Sequence, residues 1–88
     1  IPADTVGQFE VAMQNLDTVL RAAGGAPRQI TKVVVYLTDI ADRARINPIR
    51  QRYFGDVRPA STLVEVSALV LPELTVEIEA EAVIEDTE

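Results

Sequence analysis

Apolar positions follow two rhythms along this chain, and the change of rhythm marks its elements. Val6, Phe9, Met13, Leu16, Leu20 and Ala23 are separated by 3, 4, 3, 4 and 3 residues. That spacing draws one continuous stripe along a helix. Thr5 and Gln8 fit the capping-box pattern, which predicts a start at about Val6. Gly24-Gly25 ends the helix, because glycine takes the left-handed cap conformation without steric cost, and Pro27 blocks a restart.

Ile30 to Leu37 reads I-T-K-V-V-V-Y-L, a β-branched run that predicts a strand. Val33, Val35 and Leu37 share one face; Lys32, Val34 and Tyr36 share the other. Both faces are partly apolar, so the strand is expected to be central. A second helix is expected between Ile40 and Phe54, with Asp39 as a candidate cap. Pro48 interrupts it, since an interior proline costs roughly 3 kcal/mol. Asn47-Pro48 suits a fresh start, with Asn as cap and Pro at the first position. The pattern therefore predicts a short turn or distorted helix over 41–46, then a firmer helix to Phe54, ended by Gly55.

Ser61 to Leu69 alternates loosely and Pro72-Glu73 marks a turn. The last strand, within Leu74 to Ile84, alternates cleanly: Val76, Ile78, Ala80 and Ala82 against Glu77, Glu79 and Glu81. The short link predicts an antiparallel hairpin of the last two strands. Glu85 to Glu88 reads as a frayed acidic tail. The order is α-β-α-β-β, an α+β fold in one domain over residues 1–88, with both helices on one face of the sheet. The other face also needs cover, which predicts a homo-oligomer with the glutamate-bearing last strand at the seam.

Composition narrows this picture. A domain of 88 residues buries only about 60–65% of its unfolded surface, yet 48% of the chain is apolar. That surplus also favours a second buried surface. The absence of cysteine fits a reducing, cytoplasmic setting. No apolar run approaches the ~20 residues of a membrane span, so no membrane partner is expected. Eight basic residues against fourteen acidic ones, a net charge of −6, argue against a nucleic-acid partner. The basic residues gather as Arg43, Arg45, Arg50, Arg52 and Arg58, which reads either as a solvated helix face or as a local anion site. There is no histidine, Gly-rich phosphate loop or nucleophile triad, and neither metal nor cofactor is expected. Glu77, Glu79 and Glu81 lie about 7 Å apart on one strand face. Solvated, they are inert; desolvated at a seam, one would titrate abnormally and serve as an acid, a base or a water holder.

Longer motifs add a resemblance. Ile30 to Asp39, Asn47 with Tyr53-Phe54, Arg58 to Val66, and Leu71 to Val83 resemble in order the motifs of the Rid family, also called YjgF/YER057c/UK114. Gln14-Asn15-Leu16 and Ala22-Ala23-Gly24 are similar to its first helix. The resemblance implies a chorismate-mutase-like subunit and a homotrimer with small-metabolite sites at the subunit interfaces. It also implies hydrolysis of 2-imino acids to 2-keto acids and ammonia, the activity of the best-known branch. By position it marks Asn47 and Ser61 as substrate-binding and Glu77 as the catalytic glutamate that orients a water or substrate group.

Two departures bear on that expectation. The deaminase branch carries a carboxylate-clamping arginine where this chain has Ser61, and loss of such a contact costs roughly 3–5 kcal/mol where desolvated. Arg58 stands three residues earlier, about 10 Å away on an extended chain. The family also places a strand hairpin before its first helix, whereas this sequence begins just ahead of the helix, so an N-terminally truncated domain is expected. Three readings follow: a ligand-binding trimer without imine deaminase activity, a deaminase or other hydrolase with an altered substrate, and a non-catalytic structural or chaperone-like oligomer.

Overall fold

The computed structural model describes residues 1–85. Helix α1 spans Thr5–Ala22 and strand β1 spans Ile30–Leu37. After a 3-10 turn at Ile40–Asp42 come helix α2 at Arg43–Phe54, strand β2 at Ala60–Glu65 and strand β3 at Val76–Ala82. The expected acidic tail falls largely at 86–88, outside the described residues.

The start of α1 differs from the capping-box expectation. Asp4 is the cap, and its carboxylate accepts from the Gly7 N–H at 3.0 Å. A carboxylate at that position satisfies an otherwise orphaned donor and suits the positive helix end. Gly7 permits the close approach, since a Cβ there would lie 2.8 Å from Asp4 Oδ1. Thr5 and Gln8 are instead buried in a polar knot. Thr5 Oγ1 donates to Asp42 Oδ2 at 2.9 Å and lies 2.7 Å from Thr75 Oγ1. The Gln8 amide donates to Pro2 O and Glu73 O, and accepts from the Thr75 N–H at 2.8 Å. The far end of α1 stops as expected, with Gly24 at φ 87°.

Helix α2 also departs from its expected form. It runs through Asn47 and Pro48 without a break, so Asn47 is not a cap. The proline forfeits the bond its nitrogen would give to the fourth residue back. Continuity buries Ile46 fully and leaves Ile49 only 7% exposed. Two such side chains contribute about 1.5–3 kcal/mol each, enough to offset the proline.

The sheet order is β2-β1-β3, so β1 is central as its two apolar faces predict. β2 runs parallel to β1, with Val33 opposite Ser61 and Leu37 opposite Glu65. β3 runs antiparallel to β1, with Val35 opposite Ile78 and Tyr36 opposite Glu77. The expected β2–β3 hairpin does not form. β2 ends at Glu65 rather than Leu69, and the ten residues 66–75 carry the chain across β1 to its other edge. That path is far longer than a tight hairpin needs. The β1–α2–β2 segment is a crossover, the connection that parallel neighbours require.

Both helices pack on one face. Phe9 and Met13 of α1 and Ile46, Ile49 and Phe54 of α2 meet Val33, Val35, Leu37 and Val76 in a single core. Tyr53 ties the helices together, its hydroxyl donating to Asp17 Oδ1 at 2.7 Å. Among the described residues no element covers the opposite face, where Val34 and Tyr36 lie beside the β3 glutamates. No helix among them is long and apolar enough to cross a membrane.

Candidate functional site

The marked residues separate into two regions. Glu77 is exposed on the open face, opposite Tyr36 across the β1–β3 ladder. The Tyr36 hydroxyl donates not to Glu77 but to Glu79 Oε1, at 3.1 Å. This bond, with a smaller part from burial and from the charges of Glu79 and Glu77, raises the phenol's pKa. The open face therefore combines an apolar floor at Val34 with carboxylates and one phenol. A shallow hollow of about 220 Å³ lies there between Lys32, Val34 and Glu79.

Ser61 points the other way. It stands opposite Val33, whose side chain is in the helix-side core, and residues paired in register share a face. Its hydroxyl accepts from Arg50 Nη2 at 2.7 Å. Within one protomer the sheet thus separates Ser61 from Glu77. Asn47 is exposed on α2, one turn before Arg50, and lines a cleft with it. That cleft, about 420 Å³, also has Gln51, Phe54, Val57 and Arg58 in its walls.

Arg50 was visible in the sequence only as one of five clustered arginines. The signal that singles it out is the run Arg43, Asn47, Arg50, with steps of four and three that place all three on one side of a helix. Arg58 does not take the arginine's place beside Ser61, because its Nη1 is spent on the Gly55 and Val57 carbonyls. Among the described residues no group of three carboxylates is arranged to hold a metal ion.

A larger hollow, about 540 Å³, is an apolar groove between α1 and the free edge of β3. Leu16, Val19, Ala23 and Ile84 line it. Val19 is 70% exposed, a large apolar residue left open on the helix.

A three-stranded mixed sheet with a β-α-β crossover, two helices on one face and an open acidic face defines a small α+β protein of the YjgF/Rid fold. The comparisons make this specific: residues 1–84 match the family model described as Endoribonuclease L-PSP, and the chain belongs to that family. A Mycobacterium tuberculosis member of the YjgF/YER057c/UK114 family, Rv2704, superposes with a TM-score of 0.90 at 32% identity, covering 96% of this chain and 71% of that one. Escherichia coli TdcF, solved with bound serine, superposes at 0.87 with 33% identity, covering 97% of this chain and 68% of that one. TdcF carries a provisional name as a reactive intermediate deaminase. A RutC family protein of Pyrococcus horikoshii, PH0854, is 38% identical over 80 residues, 91% of this chain and 63% of its own length. The chain thus spans a little under two thirds of that relative.

Proposed function

We propose that the chain belongs to a cytoplasmic homotrimer that binds a small metabolite where subunits meet, and that it lacks the 2-imino acid deaminase activity of the family's best-known branch. One feature carries the reading: Ser61 stands where the resemblance implies the clamping arginine. A hydroxyl there offers one neutral donor in place of a charged, two-pronged one. The separation of Ser61 from Glu77 by the sheet supports the seam, since a site using both must draw them from different protomers. The open face supports it too, because Tyr36 stays half-buried there and Val64 exposed, with no helix among the described residues to cover them. In this reading Glu77 orients a water or a ligand group, and Asn47 and Ser61 contact the ligand.

The test is hydrolysis of 2-iminopropanoate generated in situ, followed as ammonia release. The expected rate equals that of the buffer. Acceleration by wild-type protein defeats the reading. Ser61→Arg tests the same position from the other side, and its expected outcome is gained hydrolysis. Light scattering after size exclusion is expected to give three copies per particle; a monomer at micromolar concentration removes the trimer.

A further inference from the structure

We propose that Thr75, held by Thr5 and Gln8, sets the register of β3 and so selects which glutamate of that strand stands opposite Tyr36. Register is a property of the protomer and is independent of the reading above. A ligand role for Glu77 rests on that reading, and with it Thr75 becomes a positioning residue for the site.

Strand β3 is ambiguous by itself. Val76, Ile78, Ala80 and Ala82 alternate with Glu77, Glu79 and Glu81. A slip of one residue would turn the glutamates into the core, so burial excludes it. A slip of two residues keeps every face correct. Sliding forward would set Ile78 opposite Leu37 and Glu79 opposite Tyr36, where the structure has Val76 and Glu77. Sliding back would set Leu74 opposite Leu37 and Thr75 opposite Tyr36. A tight hairpin would fix the register through its turn. The ten residues 66–75 are long enough to absorb either shift.

The protons of the polar knot remove the ambiguity. Gln8 donates from its amide to Pro2 O at 3.0 Å and to Glu73 O at 2.9 Å, which uses both N–H bonds. Thr5 donates its one hydroxyl proton to Asp42 Oδ2 at 2.9 Å. What remains for the side chain at position 75 is two acceptors, Thr5 Oγ1 at 2.7 Å and Gln8 Oε1 at 3.2 Å. Thr75 meets them with a hydroxyl proton. Its N–H also reaches Gln8 Oε1, at 2.8 Å, but any residue there would supply that bond. A forward slip brings Glu77 to this place, and a backward slip brings Glu73. Each is an acceptor-only carboxylate, set beside the carboxylate of Asp42 and against Thr5 and Gln8, which are only 5% and 6% exposed. A charge without a donor is strongly disfavoured in such surroundings. Positions 73, 75, 77, 79 and 81 read Glu, Thr, Glu, Glu, Glu, so the knot finds a hydroxyl in one register alone.

The experiment moves the threonine. Thr75→Glu is combined with Glu77→Thr in the 88-residue chain, and the register is read from cross-strand Hα–Hα contacts by NMR. The Thr38 N–H bonds Thr75 O at 3.0 Å, and bonded pairs alternate from there, so Val35 and Ile78 form a close non-bonded pair. The wild type is expected to show the Val35–Ile78 contact, and the swapped variant a Val35–Ala80 contact in its place. Persistence of Val35–Ile78 in the swapped variant overturns the proposal. Melting followed by circular dichroism gives a second reading. Thr75→Glu alone is expected to lower the melting temperature, and adding Glu77→Thr to recover at least about 5 °C of the loss. A Thr75→Glu variant as stable as the wild type, or a swapped variant that does not fold or melts no higher than Thr75→Glu, also overturns it. None of these outcomes depends on whether the chain hydrolyses an imine.

Discussion

The two faces of the sheet are built from alternate residues of the same strands, yet they have different work. On the helix side Val33, Val35 and Leu37 are fully buried under α1 and α2. On the open side Tyr36 remains half-buried, and Glu77, Glu79 and Glu81 stand in solvent. The first face accounts for the stability of a protomer. The second contributes little until something covers it. The polar groups differ as well, with the β3 glutamates on the open face and the guanidinium of Arg50, bonded to Ser61, at the helix-side edge.

The largest effect expected from breaking this contrast is in the core. Leu37→Ala is expected to cost about 2–5 kcal/mol in urea denaturation, because it leaves a cavity where both helices meet the sheet. A cost below about 1 kcal/mol would mean that the helix side is not the dominant core. Next comes the knot at the start of α1. Gln8→Ala removes a side chain that joins Pro2, Glu73 and Thr75, and is expected to cost about 1–3 kcal/mol through the buried groups left unpaired.

An open-face substitution sharpens the contrast from the other side. Val64→Asp, at the exposed open-face residue opposite Tyr36, is expected to leave the circular dichroism spectrum in place while lowering the particle mass on light scattering. An unchanged mass would show that this face is not a seam. The smallest effect concerns pH. Asp17 is held below the usual carboxylate range, first by the Tyr53 hydroxyl and then by Arg21. A depressed folded pKa gives stability that is complete above the unfolded value, near 4, and lost as pH falls through the folded value. Asp17→Asn is therefore expected to flatten the acid limb of the stability profile below about pH 4, read as melting temperature against pH.

Much of the fold was legible in the sequence. The stripe from Val6 to Ala23 has one helical period, and the structure forms that helix. Strand β1 has the predicted ends because its β-branched run is bounded on both sides by chain that cannot extend it. The misreadings have a common cause. Asn47-Pro48 is a good local start signal, but Ile46 and Ile49 gain more from burial in one continuous helix than the proline costs. Pro72-Glu73 is a good turn signal, but a turn does not name the strand that pairs next. The motifs marked Asn47, Ser61 and Glu77, and nothing in them showed that the sheet separates Ser61 from Glu77.

The chain by itself determined which residues alternate and where α1 and β1 lie. These properties are local, set by side-chain period and by glycine and proline backbone preferences. Strand order belonged to the tertiary structure alone, because β1 can take partners on both edges and only packing of α2 beneath the sheet selects the crossover. The same packing sets Arg50 beside Ser61, across 11 positions of chain. No periodicity encodes that contact, and it gives the serine a charged neighbour that its own position lacks.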